Sequence, residues 1–374
     1  MLDLQHPITL LRPREIRFGA GTLCRLREFV AARGGRAYVV TDTFNAARVD
    51  LLDLDNPVVF GEIASEPEIP DLEAALARAE AAFGDAPAVV VGFGGGSAMD
   101  LAKLVAVLAG SGRSLTDISG ADRAPARRAA LVQIPTTAGT GSEVGTRALI
   151  TDPETRNKVA TESPQMLADL AIVDPGLTAS APPFVTAATG VDAMAHCVEA
   201  LTSKRAHPLI DAYALEGIRL VGRYLKRAVD EGDDIEARTG LSLAALYGGV
   251  CLGPVNTTAG HALSYPLGTH HNIAHGIANA LIFPHTLEAN APATPGKTAQ
   301  VITALGGSEG AAPFEVAYSF CDAMGIDMRL GSYGVGEDSL DEMAREAHGI
   351  RRLLDWNPRD LTVHDITEIY RRAF

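Results

Sequence analysis

Apolar residues in the first half of the chain come in short runs. Val39-Val40, Val58-Val59-Phe60, Val89-Val90-Val91, Leu131-Val132 and Leu170-Ala171-Ile172-Val173 are brief, mostly β-branched and bounded by glycine, proline or aspartate. Such runs predict buried strands. Between them, residues 70–83 place Leu72, Ala75, Leu76, Ala79 and Phe83 on one side, and residues 98–108 are apolar helix formers. Both stretches predict helices. Strand and helix alternating at this spacing predict an α/β domain with a mostly parallel sheet. After Pro182-Pro183 the period changes to that of a helix. Residues 210–229, 241–252, 273–287 and 313–324 predict helices, so the second part is expected to be all-helical. The boundary falls near 180–183, giving domains 1–181 and 182–374. Alanine- and proline-rich pieces at 122–129 and 291–295 predict surface loops.

Length and charge narrow the function. A chain of 374 residues is long for a single core, which agrees with two domains. A net charge of −14 and a pI near 5.2 argue against nucleic acid or anionic membrane as a partner. No apolar run reaches the ~18 residues of a membrane span. The start, Met1-Leu2-Asp3-Leu4-Gln5-His6-Pro7, lacks the features of a secretory leader. Cys24, Cys197, Cys251 and Cys321 lie far apart with no Cys-x-x-Cys. Reduced thiols in a cytoplasmic protein are expected.

The candidate chemistry starts at Gly190-Val191-Asp192-Ala193-Met194-Ala195-His196. Asp192 and His196 are four residues apart in a helix-forming run, hence on one face, where they can share a cation. The same spacing also arises by chance. Five of the ten histidines, His261, His270, His271, His275 and His285, crowd into a short stretch. One Asp with two or three His is a ligand set for a divalent transition metal. His270 and His271 read equally as solvated loop residues. Cys197, about 100° round the helix from its neighbour, reads as core. Gly92-Phe93-Gly94-Gly95-Gly96-Ser97 joins a strand to a helix. It is either a tight glycine turn or a phosphate cradle at a helix N-terminus; its spacing is not that of the Rossmann fingerprint. Thr136-Thr137-Ala138-Gly139-Thr140 follows another strand and reads alone as a solvated turn. Asp42 ends an early strand, where an Asp can simply cap a helix. Lys158 reads alone as a surface lysine.

Taken in order, Gly-Val-Asp-x-x-x-His, Gly-His-x-x-x-x-Pro-Leu-Gly and His-Gly-x-x-Asn-Ala resemble the iron-containing (group III) alcohol dehydrogenases. The resemblance runs from about Phe18 to His285, and more loosely to the end. It implies the two-domain, dehydroquinate synthase-like architecture and a metal held by Asp192, His196, His261 and His275. Fe²⁺ is the expected ion, with Zn²⁺, Ni²⁺ or Mn²⁺ open. It also implies NAD, with the pyrophosphate at Gly94, Gly95, Gly96 and Ser97. Asp100 and Lys103, on the first helical turn, would support that loop. Thr136, Thr137, Thr140 and Lys158 would contact the cofactor. Asp42 would accept from the adenosine ribose and repel a 2′-phosphate, favouring NAD over NADP. The implied activity is metal-dependent, NAD(H)-linked alcohol oxidation or aldehyde reduction on a small primary alcohol, diol or hydroxy acid, in a homodimer.

One position departs from the family. Many members carry a second His four residues after the third metal ligand; here it is Tyr265, whose pKa of about 10 makes it a poorer proton carrier. His270 or His271 is the substitute relay, and His271 is taken with Tyr265 as the catalytic pair. Competing readings are a maleylacetate reductase-like enzyme without the metal, a dehydroquinate synthase-like NAD/metal lyase, and a non-enzymatic metal binder. The retained Asp and three His oppose the first. The lyase class uses a Glu ligand. Ligand and dinucleotide motifs in one chain oppose the third.

Overall fold

A computed structural model describes residues 7–63, 66–155 and 157–374; the first six residues, where the features of a secretory leader are expected to be lacking, lie outside the described residues. The chain forms two compact units. One comprises residues 10–137 and 141–179, the other residues 180–374 with 138–140 and 7–9.

The first unit contains strands β1 Glu15–Phe18, β2 Ala37–Asp42, β3 Val58–Ile63, β4 Val89–Gly94, β5 Gly120–Ala121, β6 Ala130–Pro135, β7 Arg147–Thr151, β8 Lys158–Glu162 and β9 Leu170–Val173. Its helices are α1 Arg25–Ala31, α2 Thr43–Ala46, α3 Ile69–Phe83, α4 Gly96–Leu108 and α5 Leu115–Ile118. Six strands pair in the order β1-β9-β6-β4-β2-β3, every pairing parallel. A parallel sheet is covered on both faces, and successive residues supply opposite faces. Tyr38, Val40, Val90 and Leu131 accordingly join one buried cluster, while Val39, Val89, Val91 and Val132 join another. From β2 the chain moves outward to β3, then returns to the other side of β2 as β4. The carboxyl ends of β2 and β4 therefore flank a topological switch point, where open α/β sheets bind ligands.

The second unit is helical: α6 Pro183–Thr202, α7 Pro208–Asp230, α8 Ile235–Val255, α9 Ala259–His271, α10 His275–Asn290, α11 Pro295–Ala304, α12 Pro313–Asp322, α13 Leu340–Gly349, α14 Arg351–Leu354 and α15 Val363–Ala373. Helix α6 is buried over most of its length. No helix among the described residues is long and apolar enough to cross a membrane.

Three expectations are corrected. Strand β4 runs on through Gly94 and α4 begins at Gly96, so Asp100 and Lys103 lie beyond the first helical turn. Residues 291–295 are not a loop but a 3₁₀ turn, Ala291–Ala293, running into α11, because Pro295 suits the first helical position. His270 and His271 are not loop residues; they occupy the last turn of α9. That helix escaped the periodicity because Gly260, Pro266 and Gly268 interrupt it, and Pro266 lies inside it.

Candidate functional site

Helix α6 carries Asp192 and His196 one turn apart, α9 carries His261 in its first turn, and α10 begins at His275. Each offers one ligand atom, and the four atoms lie within 4.8 Å of one another. Asp192 Oδ1 is 3.5 Å from His261 Nε2 and from His275 Nε2, and 3.7 Å from His196 Nε2. Metal–ligand bonds of about 2.1 Å put neighbouring donors roughly 3.0–3.4 Å apart. The Asp192–His separations are within a few tenths of an ångström of that range, and side-chain rotations that draw the imidazoles together would close the set on a single ion, so the residue types and their grouping fit a divalent metal. Asp192, His196 and His261 are buried; His275 is half-buried.

The motif glycines are where helices approach. A Cβ on Gly190 would lie 2.3 Å from Leu225 of α7, one on Gly276 would lie 2.2 Å from the Ala188 carbonyl of α6, and one on Gly260 would lie 2.4 Å from Glu199 Oε1. Each glycine lets a helix carrying a ligand pack closely enough to bring the four side chains together.

Two further polar residues, Glu199 and Asn279, complete the surroundings. Glu199 Oε2 is 2.6 Å from His261 Nδ1, and its Oε1 accepts the His261 backbone N–H at 3.1 Å. Glu199 follows His196 by three residues and Asp192 by seven, a same-face spacing that was the available signal. The Asn279 amide donates to Asp192 Oδ1 at 2.8 Å and lies 3.2–3.3 Å from Nε2 of His261 and His275. Burial resists charge on Asp192, but His196 first, then His275 and His261, hold its carboxyl far below the ordinary range. Burial likewise resists the imidazolium of His261; Glu199 and then Asp192 overcome it and raise that pKa. His196, stacked on His261 with ring centroids 4.7 Å apart, is driven down, by burial above all.

The five-histidine cluster divides. His270 pairs with Glu346 at 2.5 Å. His271 Nε2 is buried without a hydrogen-bond partner, and burial lowers the ring's pKa. His285 packs against Phe314, and burial pushes it down to about 4. None of these three joins the four-ligand group. Tyr265 does lie beside it: its ring centroid is 6.1 Å from that of His275, and the Arg352 guanidinium sits 5.5 Å from its centre.

Most of the residues matched to a dinucleotide belong to the other unit, and Asp42, Gly94, Gly95, Thr136 and Thr137 gather there at the switch point; Thr140 is grouped with the helical unit. Asp42 ends β2 and caps α2, accepting from Asn45 N at 2.9 Å and from the Asn45 side-chain amide at 2.7 Å. That amide also reaches Thr136 Oγ1 at 3.2 Å. Gly94 has φ +156°, and a Cβ there would lie 3.0 Å from Asp42 Oδ2. Thr136 N donates to the Gly94 carbonyl at 2.9 Å. Gly95 caps α4, so Gly96 and Ser97 open that helix, and a Cβ on Gly95 would touch Thr137 Oγ1 at 3.4 Å. Thr140 follows in the same turn. Lys103 is buried and donates to Ser142 Oγ at 2.5 Å and the Arg147 carbonyl at 2.7 Å. Asp100 accepts from Ser142 Oγ at 2.6 Å and Leu149 N at 2.9 Å. This pair ties α4 to the segment after Gly141. Lys158 opens β8, donating to Thr151 Oγ1 at 2.9 Å and pairing with Glu66.

Two family models match the chain: "Iron-containing alcohol dehydrogenase" over residues 13–175 and "Fe-containing alcohol dehydrogenase family, C-terminal" over residues 186–374. The chain belongs to the iron-containing alcohol dehydrogenase family, and it is an oxidoreductase acting on CH–OH groups. Long-chain-alcohol dehydrogenase 1 of Geobacillus thermodenitrificans is 36% identical over 95% of this chain and 94% of that protein. A crystal structure of 1,3-propanediol oxidoreductase superposes with TM-score 0.90 at 29% identity, covering 99% of this chain and all of that one. Sulfoacetaldehyde reductase from Bifidobacterium kashiwanohense, in complex with NAD⁺, gives TM-score 0.89 at 28% identity over 98% and 99% of the two chains.

Proposed function

We propose that this chain oxidises small primary alcohols, or reduces the matching aldehydes, with NAD(H) and one divalent metal, Fe²⁺ being the native ion. The observation that carries the reading is the set of four ligand atoms within 4.8 Å, three of them on buried residues. Asp192, His196, His261 and His275 would hold the ion. When bound, the ion supplies Lewis-acid chemistry, lowering the pKa of an alcohol oxygen or polarising a carbonyl. The Asp192 carboxylate supplies the negative charge of the set, kept ionised by the surrounding imidazoles. Tyr265, beside the half-buried His275, orients the substrate oxygen or relays its proton, and His271 is the candidate for passing that proton on.

Gly94, Gly95, Gly96 and Ser97 would receive the pyrophosphate at the start of α4, with Thr136, Thr137, Thr140 and Lys158 along the rest of the cofactor. The position of the glycine loop at the switch point supports this, as does the NAD⁺ complex of the sulfoacetaldehyde reductase. Asp42 would select NAD over NADP. A homodimer in the cytoplasm is the working assembly and compartment; light scattering and cell fractionation test them. The functional test is NADH formation across small alcohols, diols and hydroxy acids, after anaerobic loading with Fe²⁺, Zn²⁺, Mn²⁺ or Ni²⁺. Turnover confined to metal-loaded protein is expected; equal turnover after complete chelation would refute the metal's role.

A further inference from the structure

We infer that Glu199 is a positioning residue that orients His261 toward the ion and thereby sets the affinity of the site; the inference rests on the metal reading above. Two contacts made by one carboxylate carry it. Helix α9 has no side-chain cap of its own at Thr258, so the free N–H groups of its first turn need an outside acceptor. Glu199 Oε1 provides it, accepting from His261 N at 3.1 Å. Its second oxygen, Oε2, lies 2.6 Å from His261 Nδ1. An ionised carboxylate only accepts, so Nδ1 carries a proton, and in the neutral ring that would ligate a metal the lone pair falls on Nε2. That nitrogen is the one facing Asp192 Oδ1 at 3.5 Å.

The backbone and the ring of one ligand are thus pinned by one side chain. His196 differs, since its Nδ1 is buried with no hydrogen-bond partner. Gly260 is part of the device, because a Cβ there would come within 2.4 Å of Glu199 Oε1. A carboxylate behind a ligating imidazole fixes its tautomer and raises its basicity. Loss of such a partner typically weakens metal binding by about 10–100-fold.

The test uses the full chain, stripped of metal and titrated with Co²⁺ against a chromophoric chelator, with the Co²⁺ absorption band recorded at saturation. Glu199→Gln has the same shape but a single acceptor oxygen where two are used. It should bind Co²⁺ about tenfold or more weakly, with a shifted band. Glu199→Ala should bind more weakly still. Gly260→Ala, which removes no metal contact, should weaken binding by crowding the carboxylate. Thermal melts of the metal-free chains identify any variant that fails to fold, and Glu199→Gln remains informative if Glu199→Ala does. Wild-type affinity and spectrum in folded Glu199→Gln would overturn the proposal while leaving the metal site standing. A wild-type chain that takes up no Co²⁺ would overturn the metal reading itself, and this proposal with it.

Discussion

The side-chain amide of Asn279 donates to Asp192 Oδ1 across 2.8 Å of buried interior. That bond reaches from α10 to α6 and turns the carboxylate toward three imidazoles. Asn279→Ala should leave the helices in place but free the carboxylate to rotate. Metal affinity should fall by about tenfold, read by chelator competition, with little change in far-UV circular dichroism.

His261 and His275 should differ in what their loss does to the fold. His261 is buried against Glu199, while His275 is half-buried at a helix start. His261→Ala strands a buried carboxylate, a defect that costs about 3–5 kcal/mol. His275→Ala should cost far less. Thermal unfolding of the metal-free variants measures the difference, and equal melting points would contradict it.

Asp42 has two separable jobs, and two substitutions separate them. Asn caps a helix as well as Asp does, so Asp42→Asn keeps α2 while removing the charge that would oppose a 2′-phosphate. Asp42→Gly removes both. The ratio of kcat/KM for NADP to that for NAD should rise in both variants, by tenfold or more per ~1.4 kcal/mol of repulsion relieved. If the ratio stays fixed in both, Asp42 is a cap alone.

The sequence made the ligands legible because the chemistry sits in local spacing: Asp192 with His196, and the glycines beside His261 and His275. The parallel sheet was legible too, because strands buried on both faces are continuous apolar runs. What the sequence hid was non-local. Glu199 meets His261 only once α9 folds onto α6, and α9 itself was masked by Pro266. The β7–β8 hairpin and edge strand β1 are short and half-exposed, so their apolar content is weak. The capping of α2 by Asp42 was open from the start, since a strand-end aspartate serves a helix and a ribose equally well.

Glu143 gives a pH prediction. Burial, partly offset by its own backbone N–H and by Lys103, raises its pKa from 4.5 to about 7. The folded chain therefore holds this proton more tightly than the unfolded chain does. The stability this contributes is full below about pH 4.5 and is lost as pH rises through about 7. The loss is on the order of 3 kcal/mol at most, since each pKa unit is about 1.4 kcal/mol. Glu143→Gln has no proton to lose, so its melting point should gain on that of the wild type between pH 5 and pH 8. A difference that stays constant across that range would contradict the assignment.

Metal content against turnover in the ligand variants tests the central claim most directly. Elemental analysis of the reconstituted wild type should find about one divalent ion per chain, with NADH produced from a primary alcohol. His261→Ala and His275→Ala should each lose most of the metal, and NADH formation should fall in proportion. Full metal occupancy with normal turnover in both variants would contradict the account.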